Sequence, residues 1–517
     1  MNCLKHILVI IAAGLVLSPF TSCKKLLDQS PVNSPYGPVF WTNQRDAEQG
    51  IAGDYALLRK ALTSNTEYEE NMSHFAYGSL PAFEFFDYTQ YDVQFLVKGG
   101  DGFNNADFIG SYLEPYHDWT PYYKVVTQSN LVLHHLPLIP DEKFTDQPTK
   151  TRNRLMGEAY FLRAFTYFYM ARIWGDVPQV LTYDDNPGQA TNLPRVNEKI
   201  ILDSCIRDLK NAISLLPMAY TNGSERAVRA NKGAAFGLLA HVYMWRNFLN
   251  KGGVATDLTN AIAAVDSVVA SGQYELLPAV SYPKIFHGKS NEGVFEINMQ
   301  VGNGEQQVEK GFYYSILKDP FIRNKSDKVD APNLDLISSL YDDDEDERLQ
   351  YFFSTLDAGN AYNSVICKFA GPNRENIYYK NPTTFTEAAV DANIILMRYA
   401  DLILLRAEAY ADQGKSGDAL ADINMVRARS HAYLMTMDDI DDIKWEVMRE
   451  RSRELYGEGQ RWYDLVRTGL LTNADIAGGN FPQSRFDAEG WKWPVGRVLF
   501  LNNSVITQNA FWLGRVK

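Results

Sequence analysis

Between residues 450 and 467 the chain reads Glu450-Arg451-Ser452-Arg453-Glu454-Leu455-Tyr456-Gly457-Glu458-Gly459-Gln460-Arg461-Trp462-Tyr463-Asp464-Leu465-Val466-Arg467. Carboxylates and guanidiniums at this density can move protons, bind ions or lock one another in place. On a helix, Glu450 is the neighbour of Arg453, and Arg451 of Glu454, three residues on. Gly457 and Gly459 break that helix, and Arg461 is expected to pair with Asp464 on the next turn, beside Trp462 and Leu465. Opposite charges set against aromatics read as a partly buried ion network that fixes a corner of the fold, not as a catalytic set.

Other chemistry is sparse. The chain holds no His-Glu-x-x-His and no Gly-x-Ser-x-Gly. Gly414-Lys415-Ser416 matches the end of a phosphate loop, but Ala409 stands where its first glycine belongs, and the stretch joins two helices rather than a strand to a helix. His134 and His135 are adjacent and so face different ways on a helix. The acidic run from Asp342 to Glu347 lacks the central glycine and spacing of a calcium loop and reads as a solvated turn. Cys205 and Cys367, two distant cysteines, do not make a disulfide framework or a zinc site, and Cys205, in an amphipathic helical pattern, is expected to be a buried free thiol. No metal and no cofactor is expected, and no enzymatic activity.

Helices dominate the elements that carry these residues. Apolar positions recur at helical spacing from Trp41 to about Leu62, from Tyr122 to Leu136 and from Arg152 to Trp174, where Gly175-Asp176-Val177-Pro178 stops the helix. Further helices are read at Ile200–Leu216, Asn231–Phe248 and Leu258–Ala270, and again from Ala392 to about Val466. Val294-Phe295-Glu296-Ile297 reads as a strand. Two regions keep no steady period: Glu67 to Trp119, dense in Tyr and Phe, and Tyr274 to about Tyr379. Leu402 to Arg429 has helix-pair logic, with Ala407 and Tyr410 facing Ala419, Ile423 and Val426 across a turn at Gly414. This spacing resembles a tetratricopeptide repeat. Ala240 and Tyr243 with Ala261 and Val265 give a second copy, and Ala164 and Tyr167 begin a looser third. Stacked helix pairs make a curved scaffold.

The N-terminus carries an address. Lys5 precedes an apolar run from Ile7 to Leu17, followed by Ser18-Pro19-Phe20-Thr21-Ser22 and then Cys23. The run is too short for a spanning helix. A small residue before cysteine is what a lipoprotein signal peptidase requires, and acyl chains on Cys23 would hold the protein on a membrane. Residues 1–22 are therefore expected to be a signal peptide, and residues 23–40, with Pro31, Pro35 and Pro38, a tether. A net charge of -13 argues against nucleic acid as a partner.

Several motifs resemble the SusD/RagB family. Arg398 to Ala409, Ile423 to Arg429 and Glu450 to Arg467 are similar to its C-terminal half. Asn130 to Leu133, Gly157 to Ala164 and Trp174 to Pro178 are similar to its N-terminal half; Ser22 to Asp28 and, near the end, Gln508-Asn509 are also similar to the family. Phe511-Trp512 departs from the family's usual Pro-Gly. The resemblance covers nearly the whole chain after Cys23. It implies a mainly α, SusD-like fold, with tetratricopeptide-like helix pairs packed against an irregular, loop-rich ligand-binding half. The N-terminal region would span 41–270 and the C-terminal region 271–517. It further implies an outer-membrane lipoprotein facing the cell exterior, which binds glycans or sometimes peptides and sits over a SusC-like TonB-dependent transporter.

Sugar rings have apolar faces for Tyr, Trp or Phe and hydroxyl edges for Asp, Asn and Arg. The candidates lie in the irregular regions: Tyr88, Tyr91, Asp92 and Asn104 in the first, Tyr313, Tyr314 and Arg323 in the second. A surface scaffold binding only protein and a glycan hydrolase are the rival readings. The anchor is testable directly. Radiolabelled palmitate should label the protein in cells and fail to label Cys23→Ala; equal labelling of both would remove the anchor.

Overall fold

The computed structural model describes residues 40–63, 73–87, 114–145, 148–183, 192–299, 301–305, 311–326, 330–356 and 364–515. Residues 1–39, which hold the expected signal peptide, Cys23 and all but the last residue of the expected tether, and the candidates Tyr88, Tyr91, Asp92 and Asn104 lie outside the described residues.

Most of the described chain is helical. Helices α1 (Gln44–Thr63), α2 (Thr120–His135), α3 (Pro148–Trp174), α4 (Glu198–Leu215), α5 (Lys232–Leu249), α6 (Ala255–Ala270), α7 (Tyr399–Asp412) and α8 (Ser416–Arg429) each pack against the next. The three repeat copies are thus consecutive pairs in one stack: α3 with α4, α5 with α6 and α7 with α8. Local chemistry sets their ends. Asn231 caps α5, its side chain accepting from the Ala234 N–H at 2.8 Å, and Asn197 caps α4 in the same manner. Gly175 closes α3 and Gly414 turns α7 into α8, both at positive φ (74° and 73°). Small residues let the pairs approach: Gly237 of α5 lies against Leu402 of α7, and Ala240, Ala407 and Ala419 are fully buried. As its adjacency to His134 requires, His135 turns inward and stacks on Trp41, while His134 faces solvent.

Sheet is confined to two-stranded pieces. Strand β1 (Phe85–Asp87) pairs antiparallel with β3 (Asp330–Pro332), and β2 (Gly293–Ile297) with β6 (Ile394–Arg398); β4 (Ile377–Asn381) and β5 (Thr386–Val390) form a hairpin. β6 corrects the expectation of a helix from Ala392. Ile394-Ile395-Leu396-Met397 is a continuous buried apolar run, whose periodicity does not separate strand from helix, and pairing with β2 decides it. One apolar core takes residues from Leu58 to Trp512, on both sides of residue 270.

Helix α9 (Ile443–Glu454) packs on α7 and α8, and α10 (Arg461–Thr468) follows it. The charged motif lies here and is buried. Glu450 pairs with Arg453 (2.9 Å) as spacing predicts, and also with Arg348 and Arg427. The other two expected pairs do not form. Arg451 reaches across to Asp401 and Asp464, while Glu454 accepts from Arg348, Arg398 and Arg429. Arg461 meets backbone carbonyls of Ala82, Ile476 and Ala477 and the Ser452 hydroxyl, and Asp464 takes Arg451 and Arg467. Tertiary partners outcompete helical neighbours because each group is buried and must be matched in geometry.

The network is charge-balanced. Arg348, Lys368, Arg398, Arg427, Arg429 and Arg453 face Glu292, Asp346, Glu446, Glu450, Glu454 and Glu458. Lys368 also donates to the Glu454 and Tyr456 carbonyls. The turn after α9 clamps the N-terminal half. The Gly459 N–H donates to Ser79 Oγ, the Gly457 N–H to Glu84 and the Tyr456 hydroxyl to the Glu84 carbonyl. A Cβ on Gly78 would stand 1.9 Å from the Gly459 oxygen, so only glycine fits there.

Burial by itself would raise Glu450, but Arg348, Arg453 and Arg427 outweigh it and hold its carboxyl at about 2. Glu454 is likewise held well below the usual carboxylate range against the effect of burial, by Arg429, Arg398 and Arg348. A carboxyl depressed in the folded state contributes stability that is complete above its unfolded value and lost as pH falls through the folded one. Unfolding free energy should therefore fall steadily below about pH 4.5 and towards pH 2. Glu454→Gln, which strands three guanidiniums, should cost about 3–5 kcal/mol by denaturant unfolding at pH 7 and flatten the acid limb. A loss under about 1 kcal/mol with an unchanged acid limb would contradict the network's role.

Candidate functional site

The irregular second region forms a face built on the β4–β5 hairpin and the segment 311–326. Side chains alternate along β4: Ile377 and Tyr379 turn inward, and Tyr378 and Lys380 outward. Tyr379 holds the neighbouring turn in place. Its hydroxyl accepts from the Arg323 N–H at 3.0 Å and donates to the Phe321 carbonyl at 3.3 Å. Its ring meets Phe385 edge to face, 5.3 Å between centroids. The Arg323 guanidinium lies 4.1 Å over the Phe385 ring, and Arg323 itself is exposed. Arg374 donates to the Pro320 carbonyl and so braces the same turn. The result is an exposed guanidinium on an aromatic base, with Tyr378, 40% exposed, on the outer side of the hairpin.

At the opposite end of β5, about 20 Å along the strand, lies a polar recess of about 290 Å³ lined by His287, Lys289, Asn298, Met299, Asp391 and Asn393, among others. The β2–β6 pairing brings these distant segments together. Asn393 is buried and rigid: its Oδ1 accepts from the Met299 N–H, and its Nδ2 donates to Glu296. His287 Nδ1 lies 3.0 Å from the Asp391 carbonyl, and Asn298 donates to Glu305, which pairs with Arg59 of α1. Imidazole, ammonium, carboxylate and amide thus converge on one hollow. They can donate to and accept from hydroxyl groups. Among the described residues no group of three or more side chains is set to hold a metal ion. A second recess, about 240 Å³, opens beside α2 and is mainly apolar, with Trp119, Tyr123, Val180, Leu499 and Ile506 in its wall.

The sequence candidates separate. Arg323 is exposed and Tyr314 half-buried, with the Lys325 ammonium 4.8 Å from the Tyr314 ring. Tyr313 belongs to the core. It is 1% exposed and stacked 4.0 Å from Phe369, with Phe75 at 5.3 Å on a tilt, and its hydroxyl donates to the Asn393 carbonyl. A ring covered in this way offers no face to a ligand; adjacent residues on the short helix Phe312–Ser315 point different ways, so Tyr313 and Tyr314 cannot both do so. Its place is to support the recess from behind. His287, Lys289, Asn298 and Asp391 were not among the candidates. The available signal was polar residues on both sides of the strand at 294–297; their meeting with residue 391 depends on a pairing that spacing does not reveal.

The fold and the face define a class: a stack of helix pairs presenting an irregular recognition surface. Two family models match the chain, the SusD family over residues 348–512 and a family described as starch-binding, associating with the outer membrane, over residues 84–244. The chain belongs to the SusD/RagB family. A SusD-like protein of Formosa agariphila is 25% identical over 97% of this chain and 97% of its own. The starch-binding protein SusD of Bacteroides thetaiotaomicron is 35% identical over 123 residues, 23% of this chain and 21% of that one. The crystal structure of a SusD homolog from the same species superposes with a TM-score of 0.79 at 24% identity, over 92% of this chain and 99% of that one.

The division between Tyr313 and Tyr314 is measurable. Tyr313→Ala should cost about 3–5 kcal/mol in denaturant unfolding, and Tyr314→Ala less than about 1 kcal/mol. Equal costs would mean that the two rings are not placed as described.

Proposed function

We propose that the protein is a cell-surface lipoprotein that captures oligosaccharides and delivers them to a partner TonB-dependent transporter in the outer membrane. The observation that carries this reading is the polar recess of His287, Lys289, Asn298 and Asp391, joined through β5 to the Arg323–Phe385–Tyr379 cluster at the strand's other end. Hydroxyl-reading groups in a hollow, with aromatic rings within the reach of an extended chain, are what an oligosaccharide needs. The starch-binding description of the matching family model and the starch-binding relative support the ligand class, and the family's association with the outer membrane supports the location. Anchoring through Cys23 would keep the protein at the cell exterior while the tether lets it move over the transporter. Tyr88, Tyr91, Asp92 and Asn104 remain proposed contacts beside Tyr314 and Arg323. The protein acts by binding, not by cleavage.

A protein-binding role has its own supporting observation. Met425, Tyr433, Leu434, Met437 and Trp445 are each at least 40% exposed along α8, the following loop and the start of α9. An apolar stretch of this kind fits contact with another protein, and a peptide ligand would use the same irregular face as a glycan.

Calorimetry over a panel of polysaccharides should find a ligand. Replacing both Tyr314 and Arg323 by Ala should weaken it about tenfold without release of reducing ends by either protein. Unchanged affinity would remove these two residues from the site, and steady release of reducing ends would overturn the binding-protein reading.

A further inference from the structure

A small, partly open cavity lies between α3, α5 and the start of α10. All the residues that line it are buried, among them His74, Arg172, Leu238, His241, Met397 and Gln460. The centre of a water-sized particle has about 10 Å³ there, room for one such particle.

Arg172, in the last turn of α3, is 6% exposed. Its guanidinium lies 4.0 Å from the ring centroid of Tyr463, 4.5 Å from that of Phe168 and 5.4 Å from that of Tyr169. Among the described residues no carboxylate or carbonyl accepts from it, and its Nε is buried without a partner. Asp464, the acid nearest in effect, already spends both oxygens on Arg451 and Arg467. Asp401 is taken by His241 and Arg451. Burial pushes Arg172 below its ordinary value, and Arg467 pushes it the same way. Aromatic faces offset part of the cost of a buried cation, but they do not neutralise it. Every other buried arginine of this corner has an acid or a set of backbone carbonyls; Arg172 instead borders the cavity.

We propose that this cavity is a site for one small monatomic anion, chloride, held by the Arg172 guanidinium. Its size shuts out carboxylates, sulfate and phosphate. In a low-dielectric pocket a negative charge gains more from an uncompensated guanidinium than a water molecule does. The bound ion would hold the Arg172 guanidinium at the end of α3 over the Tyr463 ring of α10, and so join the helix stack to the charged corner.

Bromide serves as the probe. Crystals of the unchanged protein grown or soaked in sodium bromide should show an anomalous bromine peak within hydrogen-bond reach of Arg172. Thermal unfolding should rise by a few degrees in sodium chloride or bromide over sodium gluconate at equal ionic strength, and Arg172→Gln should abolish that difference. Density without bromine signal at this position would identify a water and overturn the proposal, as would a halide effect that persists in Arg172→Gln. Should that variant not fold, the bromine signal in the unchanged protein decides the question.

Discussion

Glu454, the last residue of α9, accepts from Arg348, Arg398 and Arg429, which come from three separate parts of the chain. An ionised carboxylate and its guanidiniums are out of water only if every charge is matched. That condition fixes where residues 292, 348, 368, 398 and 429 must stand. It also fixes the turn at Gly457 and Gly459, whose backbone carries the N-terminal half through Ser79 and Glu84. The corner works less as a source of net stability than as a register. A displaced strand or helix would leave a buried charge alone, so alternative packings are penalised by several kcal/mol each.

The proposed binding face depends on this register. Arg398 ends β6, whose partner β2 leads directly to Asn298 and Met299. Asn393, just before β6, holds Met299 and receives the Tyr313 hydroxyl on its carbonyl. The recess is therefore assembled from elements whose positions are set on the far side by buried charge. A recognition surface made of short strands and turns would otherwise have little to hold its shape, since two-stranded ribbons are marginal alone. The helix stack supplies the rigid wall, and the irregular region supplies the varied side chains.

Much of the scaffold was legible in the sequence. Helical spacing, the small residues of the repeats and the glycine stops are local signals, and α1 to α8 follow them. The ionic corner was legible as a buried network but not in its pairing. Arg451 and Glu454 are neighbours on a helix, yet each has better partners brought by the fold. Tyr313 and Tyr314 were indistinguishable as letters; which ring is covered depends on Phe369 and Phe75, far away in sequence. The recess was hidden for a related reason. Residues near 290 and near 391 meet only through an antiparallel pairing, and half of that pairing carries an apolar run that reads equally well as helix.

On the function proposed above, a rigid, charge-locked helical frame presents the face formed by residues 287–299, 311–326 and 377–393 to a sugar chain. Hydrogen–deuterium exchange with and without a bound oligosaccharide tests it most directly. Slowed exchange is expected in those three segments, with no change across α7, α8 and α9. Protection confined to the helix pairs at residues 402–445, with the irregular face unaffected, would contradict it.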